Sequence, residues 1–123
     1  MTKADLPDLP DLRRLATNDR ISYSEHATDQ MLDRNISRAD VKDILSSPTN
    51  QLIETQSPSK AVGKTHSDER ALVSDPLHKR AVIVVLVILF DPIPEIRVIT
   101  VEPALEDRWD THIGDDPWLV RKT

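Results

Sequence analysis

The spacing of apolar residues changes once along this chain, near Pro48. Before it, apolar positions recur every three or four residues: Leu9, Leu12 and Leu15, then Ala27 and Met31, then Val41, Ile44 and Leu45. This spacing predicts three helices. The first is entered at Asp8 between Pro7 and Pro10 and ends near Asn18. The second takes Ser24 as its N-cap and runs to about Asn35, after a short extended piece at Ile21-Ser22-Tyr23. The third begins at Arg38. Ser37 stands three residues before Asp40, an acidic variant of the capping box, and Ile36 and Val41 occupy the two positions of a hydrophobic staple. Ser46-Ser47-Pro48 closes that helix.

After Pro48 the pattern is extended. Strands are predicted at about 51–56, 69–74, 81–90 and 95–102, with Asp91-Pro92-Ile93-Pro94 turning between the last two. The run 81–90 (AVIVVLVILF) is uninterrupted and rich in β-branched residues, yet half as long as a membrane-spanning helix needs to be. It reads as an interior strand, flanked on both sides. Helices first and sheet second indicate an α+β domain, with an antiparallel meander of about four strands. The 123 residues fit one domain: an extension with a short helix (1–20), a helix-helix-sheet core (21–103) and a tail (104–123). Residues 57–68 have the composition of a loop, and the tail is expected to lay a short helix or coil over the sheet.

Composition narrows the chemistry. With no cysteine there is no disulfide framework, zinc ribbon, redox CxxC or thiol nucleophile, which fits a reducing cytoplasm. The opening residues are acidic and proline-broken, unlike a secretory signal, and no membrane segment is expected. A net charge of −5 argues against a strongly electrostatic nucleic-acid binder. Tyr23, Phe90, Trp109 and Trp118 are too few and scattered for a base-stacking platform. One stretch runs against the average: residues 60–80 carry five basic and three acidic side chains, namely Lys60, Lys64, Arg70, Lys79 and Arg80 against Asp68, Glu69 and Asp75. His66 and His78 lie there too. An anion would bind there, unless the stretch is an ordinary solvated loop.

His26 falls at the second position of the second helix, a place suited to a general base, and Arg34 lies about 80° further around the same helix. Both can border one groove. The plainer alternative is that His26 packs or caps and Arg34 pairs with Asp33 or Asp40. His66, Asp68, Glu69 and His78 together offer metal-ligand chemistry, but no HExxH or HxH spacing accompanies them, and no metal or other cofactor is expected.

The series Ser24-x-His26-Ala27, Met31-x-x-Arg34-x-Ile36-Ser37-x-x-Asp40-Val41 resembles the opening motif of domain-of-unknown-function family 4258, and the likeness continues more loosely to about Pro103. That family is similar to RelE-like and BrnT-like toxins, with a barnase-like fold of N-terminal helices on a curved antiparallel sheet. The resemblance implies a metal-independent ribonuclease or RNA-binding domain, encoded beside an antitoxin. It points at His26 and Arg34 and, among the basic groups that follow, at Lys64, His66 and Arg70. This chain departs from the family pattern in carrying Gln30 where an arginine is usual, in its acidity, and in lacking a glycine-rich hairpin near residue 70.

The resulting expectation is an RNA-binding, toxin-like domain. His26 and His66 are the acid–base pair, and Arg34, Lys64 and Arg70 hold phosphate. The rival is a non-catalytic protein-interaction module working through its acidic surface and exposed Trp109 and Trp118. A homodimer formed through strand 51–56 at a sheet edge is a third arrangement.

Overall fold

The computed structural model describes residues 8–56, 70–89, 93–112 and 114–122. Three helices come first: α1 (Leu9–Thr17), α2 (Glu25–Arg34) and α3 (Arg38–Ser46), with the short strand β1 (Ile21–Tyr23) between α1 and α2. The strands β2 (Gln51–Gln56), β3 (Arg70–Ser74), β4 (Val82–Leu89) and β5 (Glu95–Pro103) follow, then β6 (Trp109–Thr111) and β7 (Leu119–Arg121). No described helix is long and apolar enough to cross a membrane.

Local chemistry sets the helix ends. Ser24 Oγ accepts from Ala27 N at 3.0 Å, capping α2. At α3 the box is reciprocal: Asp40 N donates to Ser37 Oγ and Ser37 N to Asp40 Oδ2, both at 3.0 Å. Asn35 ends α2 in the left-handed region at φ 55°, which asparagine tolerates better than most residues. The last carbonyls of α3 are met by buried Asn50, whose Nδ2 donates to Ile44 O and Leu45 O at 2.9 Å while Arg13 Nε donates to its Oδ1 at 2.8 Å. That one side chain therefore ties α1 to α3.

The sheet has five strands, not four, in the order β1-β5-β4-β3-β2. The expected meander β2 to β5 is present, with β4 interior between β3 and β5. The extra member is the Ile21–Tyr23 piece, which pairs parallel to β5 with Tyr23 opposite Val98. Three apolar or hydroxyl residues gave no periodicity from which pairing can be read. A bulge interrupts β5: Val85 faces Thr100 and Leu86 faces Val98, so Ile99 is extra. The bulge resets the alternation. Ile96 and Val98 before it, and Val101 after it, all enter the same core.

That core lies on the helix side. Leu12, Ala16, Ala27, Met31, Val41, Ile44 and Leu45 pack on Ala71, Val73, Val82, Val84 and Leu86. On the opposite face, Ile53, Leu72, Ile83 and Val85 form a second core with Trp109, Trp118 and Leu119. The tail is thus neither helix nor coil over the sheet but the two-stranded ribbon β6–β7. Both tryptophans, expected to be exposed, are buried at 3% and 5% residual exposure. Four apolar positions on the second face of the sheet supply the reason, since they need a cover.

Candidate functional site

The outer edge of β5 poses a backbone problem that α2 solves. β1 ends at Tyr23, so from Ile99 onward β5 has no strand beside it on that side. Unpaired strand groups need partners. Ser24 N continues the ladder by donating to Val98 O at 3.0 Å, and Ser24 Oγ donates to Ile99 O at 3.0 Å. One and two turns into the helix, Gln30 Oε1 accepts from Val101 N at 2.9 Å and Arg34 Nη1 donates to Val101 O at 2.7 Å. Three side chains of one helix stand in for a missing strand. Gln30 is the residue that replaces the expected arginine, and its bond explains why a glutamine serves here: an arginine has no acceptor to offer Val101 N.

This arrangement separates the motif residues by task. Ser24, Gln30 and Arg34 brace β5, Ser37 and Asp40 cap α3, and Ala27, Met31, Ile36 and Val41 are buried in the helix-side core. His26 is left. Residues 26, 30 and 34 lie on one stripe of α2, drifting about 40° per step, so His26 belongs to the stripe that turns toward the β5 edge. Among the described residues it is exposed and takes no part in the bonds its stripe-mates make. Arg34 is less free than a phosphate holder would be, and it pairs with neither Asp33 nor Asp40.

The described part of the basic stretch, residues 70–80, does not converge on His26. Arg80 donates to the carbonyls of Arg34 and Asn35 at 2.9 and 2.6 Å, completing the C-terminal end of α2, roughly 12 Å along the helix axis from His26. Arg70 sits on the other side of the sheet from α2. Ala71 and Val73 enter the helix-side core and Leu72 the second core, and alternation puts Arg70 on the face of Leu72. Lys64 and His66 lie outside the described residues, as do three of the four metal-ligand candidates, Asp68, Glu69 and His66. Among the described residues no three His, Asp or Glu side chains converge as a metal set would.

His78, the fourth of those, belongs to a buried polar cluster between the β3–β4 turn and α3. Its Nε2 is 3.6 Å from Asp40 Oδ1, as is Lys79 Nζ. Asp75 accepts from Thr49 Oγ1 at 2.7 Å and from Leu77 N at 3.0 Å. The Ser37 N–H holds the Asp40 carboxyl below its ordinary value, with Ser37 Oγ and the neighbouring Lys79 and His78 adding to it against burial. Burial alone would raise Asp75, but the bonds from Ser47, Leu77 and Thr49 outweigh it and bring that carboxyl down as well. These groups fasten the turn to the helix layer.

The family model for DUF4258, a domain of unknown function, matches residues 23–103, from the end of β1 through β5. The chain belongs to this family. Neither a curated protein nor a solved structure matches it. The DUF4258 match starts at the residue before Ser24 and ends where the braced strand ends, so the edge-bracing device lies wholly within it. The ribbon β6–β7, which roofs half of the second face, lies outside it.

Arg97 is absent from the candidates read out of the sequence. It lies on β5 between buried Ile96 and Val98, on the face away from the helices, and its Nη1 reaches Ser22 Oγ at 3.5 Å. A charged residue flanked by two inward apolar ones in EIRVITV is the signal that marks it.

Proposed function

We propose that this DUF4258 chain is a toxin-like RNA-handling domain whose reactive group is His26, standing at the outer edge of β5. The carrying observation is that, of the α2 stripe facing that edge, His26 alone makes no bond to the strand among the described residues. Helices on one face of a largely antiparallel sheet are also the architecture that a RelE-like or barnase-like relative would have. In this reading His26 takes the proton of a ribose 2′-hydroxyl, and the freed oxygen attacks the neighbouring phosphorus. The P–O5′ bond breaks to leave a 2′,3′-cyclic phosphate, and the 5′-oxygen departs with a proton from a second group, the role assigned to His66. A protein antitoxin is the natural partner of such a domain. The tryptophan-based interaction module has lost its observation, since both rings are buried.

The test is incubation of purified protein with single-stranded RNA at low salt in the presence of a chelator. Cleavage that disappears in His26→Ala, while the thermal midpoint and RNA binding stay put, is the expected result. Wild-type protein that neither binds nor cuts RNA overturns the reading.

A further inference from the structure

Among the described residues only half of the second sheet face is roofed, and β4 shows where that roof ends. Val82 through Leu86 are buried, whereas Val87, Ile88 and Leu89 are half-exposed. Ile88 rests against the helix-side core, so Val87 and Leu89 are the floor of the open half. Val87 pairs with Arg97. The β3–β4 register, Ala71 opposite Leu86, continued by one residue sets Arg70 opposite Val87 from the other side. Arg97 in turn pairs with Ser22. All five strands therefore carry one row, Ser22, Arg97, Val87, Arg70 and Gln56, with the two guanidinium-bearing positions about 10 Å apart across an apolar floor.

Among the described residues the acidic neighbours bound this row without filling it. Glu54 is engaged by Arg121 of the ribbon at 2.6 Å, at the roofed end. Glu95, opposite Leu89, lies on the same face at the far end. At the β1–β5 side the row reaches the sheet edge close to the start of α2, whose N-cap Ser24 directly follows Tyr23.

We propose that this open half is a track for the phosphodiester backbone of single-stranded RNA, held by Arg97 and Arg70 over Val87 and Leu89 and leading across the β1–β5 edge toward His26. The inference rests on the RNA-handling reading above and adds to it the surface that positions the strand. Guanidinium groups suit phosphate because they donate paired N–H bonds and keep their charge. The absence of aromatic side chains in the row predicts backbone holding with little base preference, since bases find nothing there to stack on.

Fluorescence anisotropy of a labelled oligouridylate, titrated at several salt concentrations, tests it. Arg70→Ala and Arg97→Ala each weaken binding and each lower the slope of log K against log salt by about 0.7. Arg14→Ala, which removes an exposed charge of α1 paired with Asp11 on the helix side, leaves both unchanged and controls for net charge. Glu95→Gln tightens binding, an effect that a purely structural role for the two arginines would not produce. If wild-type protein binds oligouridylate and the two arginine variants behave like Arg14→Ala, the track is wrong while the His26 reading stands. If wild-type protein binds no oligouridylate, both fall. Binding displaced by polyglutamate but indifferent to oligouridylate would make the surface a dock for an acidic protein and would also overturn the track.

Discussion

The two halves of the second sheet face are built from the same strand and nearly the same residues, yet they have opposite fates. Ile83 and Val85 lie beneath Trp109, Trp118 and Leu119. Val87 and Leu89, two and four positions on from Val85, remain half-exposed. Hydrophobicity alone does not decide which half is core; the reach of the β6–β7 ribbon does. What separates them chemically is the charge each carries: Glu54, opposite Leu72, is joined to Arg121 at the roofed end, and Arg70 and Arg97 flank Val87 at the open one. A family-encoded platform carries a cover from outside the matched region, and the cover stops short of the two arginines.

The sharpest way to break this comparison is to put the same charge in both halves. Val85→Asp buries a carboxylate with no partner and should cost at least about 4 kcal/mol in urea unfolding. Val87→Asp should cost less than about 1 kcal/mol, because water reaches that position. Equal costs would show that the open half is not open. Trp118→Ala should lose about 3–5 kcal/mol through the cavity it leaves, and it should expose Ile83 and Val85 to dye binding.

The next effect concerns the brace on β5. Arg34→Ala leaves Val101 O without its donor and should destabilise by about 1–2 kcal/mol, with amide exchange rising at the edge of β5 before it rises in β4. A smaller loss, about 1 kcal/mol, is expected of Ser37→Ala, which removes half of the capping box. No change there would mean that α3 draws its start from packing alone.

Acid should act on the turn side of the molecule and not on the open face. Asp40 and Asp75 both titrate below the ordinary value of 3.8, so their contribution is fully present above it and is lost as pH falls through the lower folded-state values. Asp75→Asn should flatten the decline in stability below that pH. An equally steep decline in the variant would place the acid sensitivity elsewhere.

Much of the architecture was legible because it is written in local chemistry. Ser24 and Ser37 mark their helices by side chains that bond within three residues, and the run of β-branched residues in β4 announces burial on its own. What escaped was non-local. Ile21-Ser22-Tyr23 is too short to show that it pairs with a strand 75 residues away. The tryptophans looked exposed because their neighbours are acidic, and only the uncovered apolar face of the sheet demanded them. The bond of Arg34 to the backbone carbonyl of Val101 is likewise non-local, and no side-chain pattern reveals it. Of the phosphate-holding candidates expected beside His26, alternation along β3 sends Arg70 to the opposite face, while Lys64 lies outside the described residues.

One measurement tests the central claim most directly: backbone amide shifts of isotopically labelled protein titrated with a single-stranded oligouridylate. The account predicts that Ser22, Val87, Leu89, Arg97 and Arg70 move together with the first turn of α2 around His26, while Leu77 at the β3–β4 turn and the ribbon residues Asp110 and Val120 stay still. Shifts confined to the turn, the ribbon or the C-terminal end of α2, with the open row silent, would contradict it.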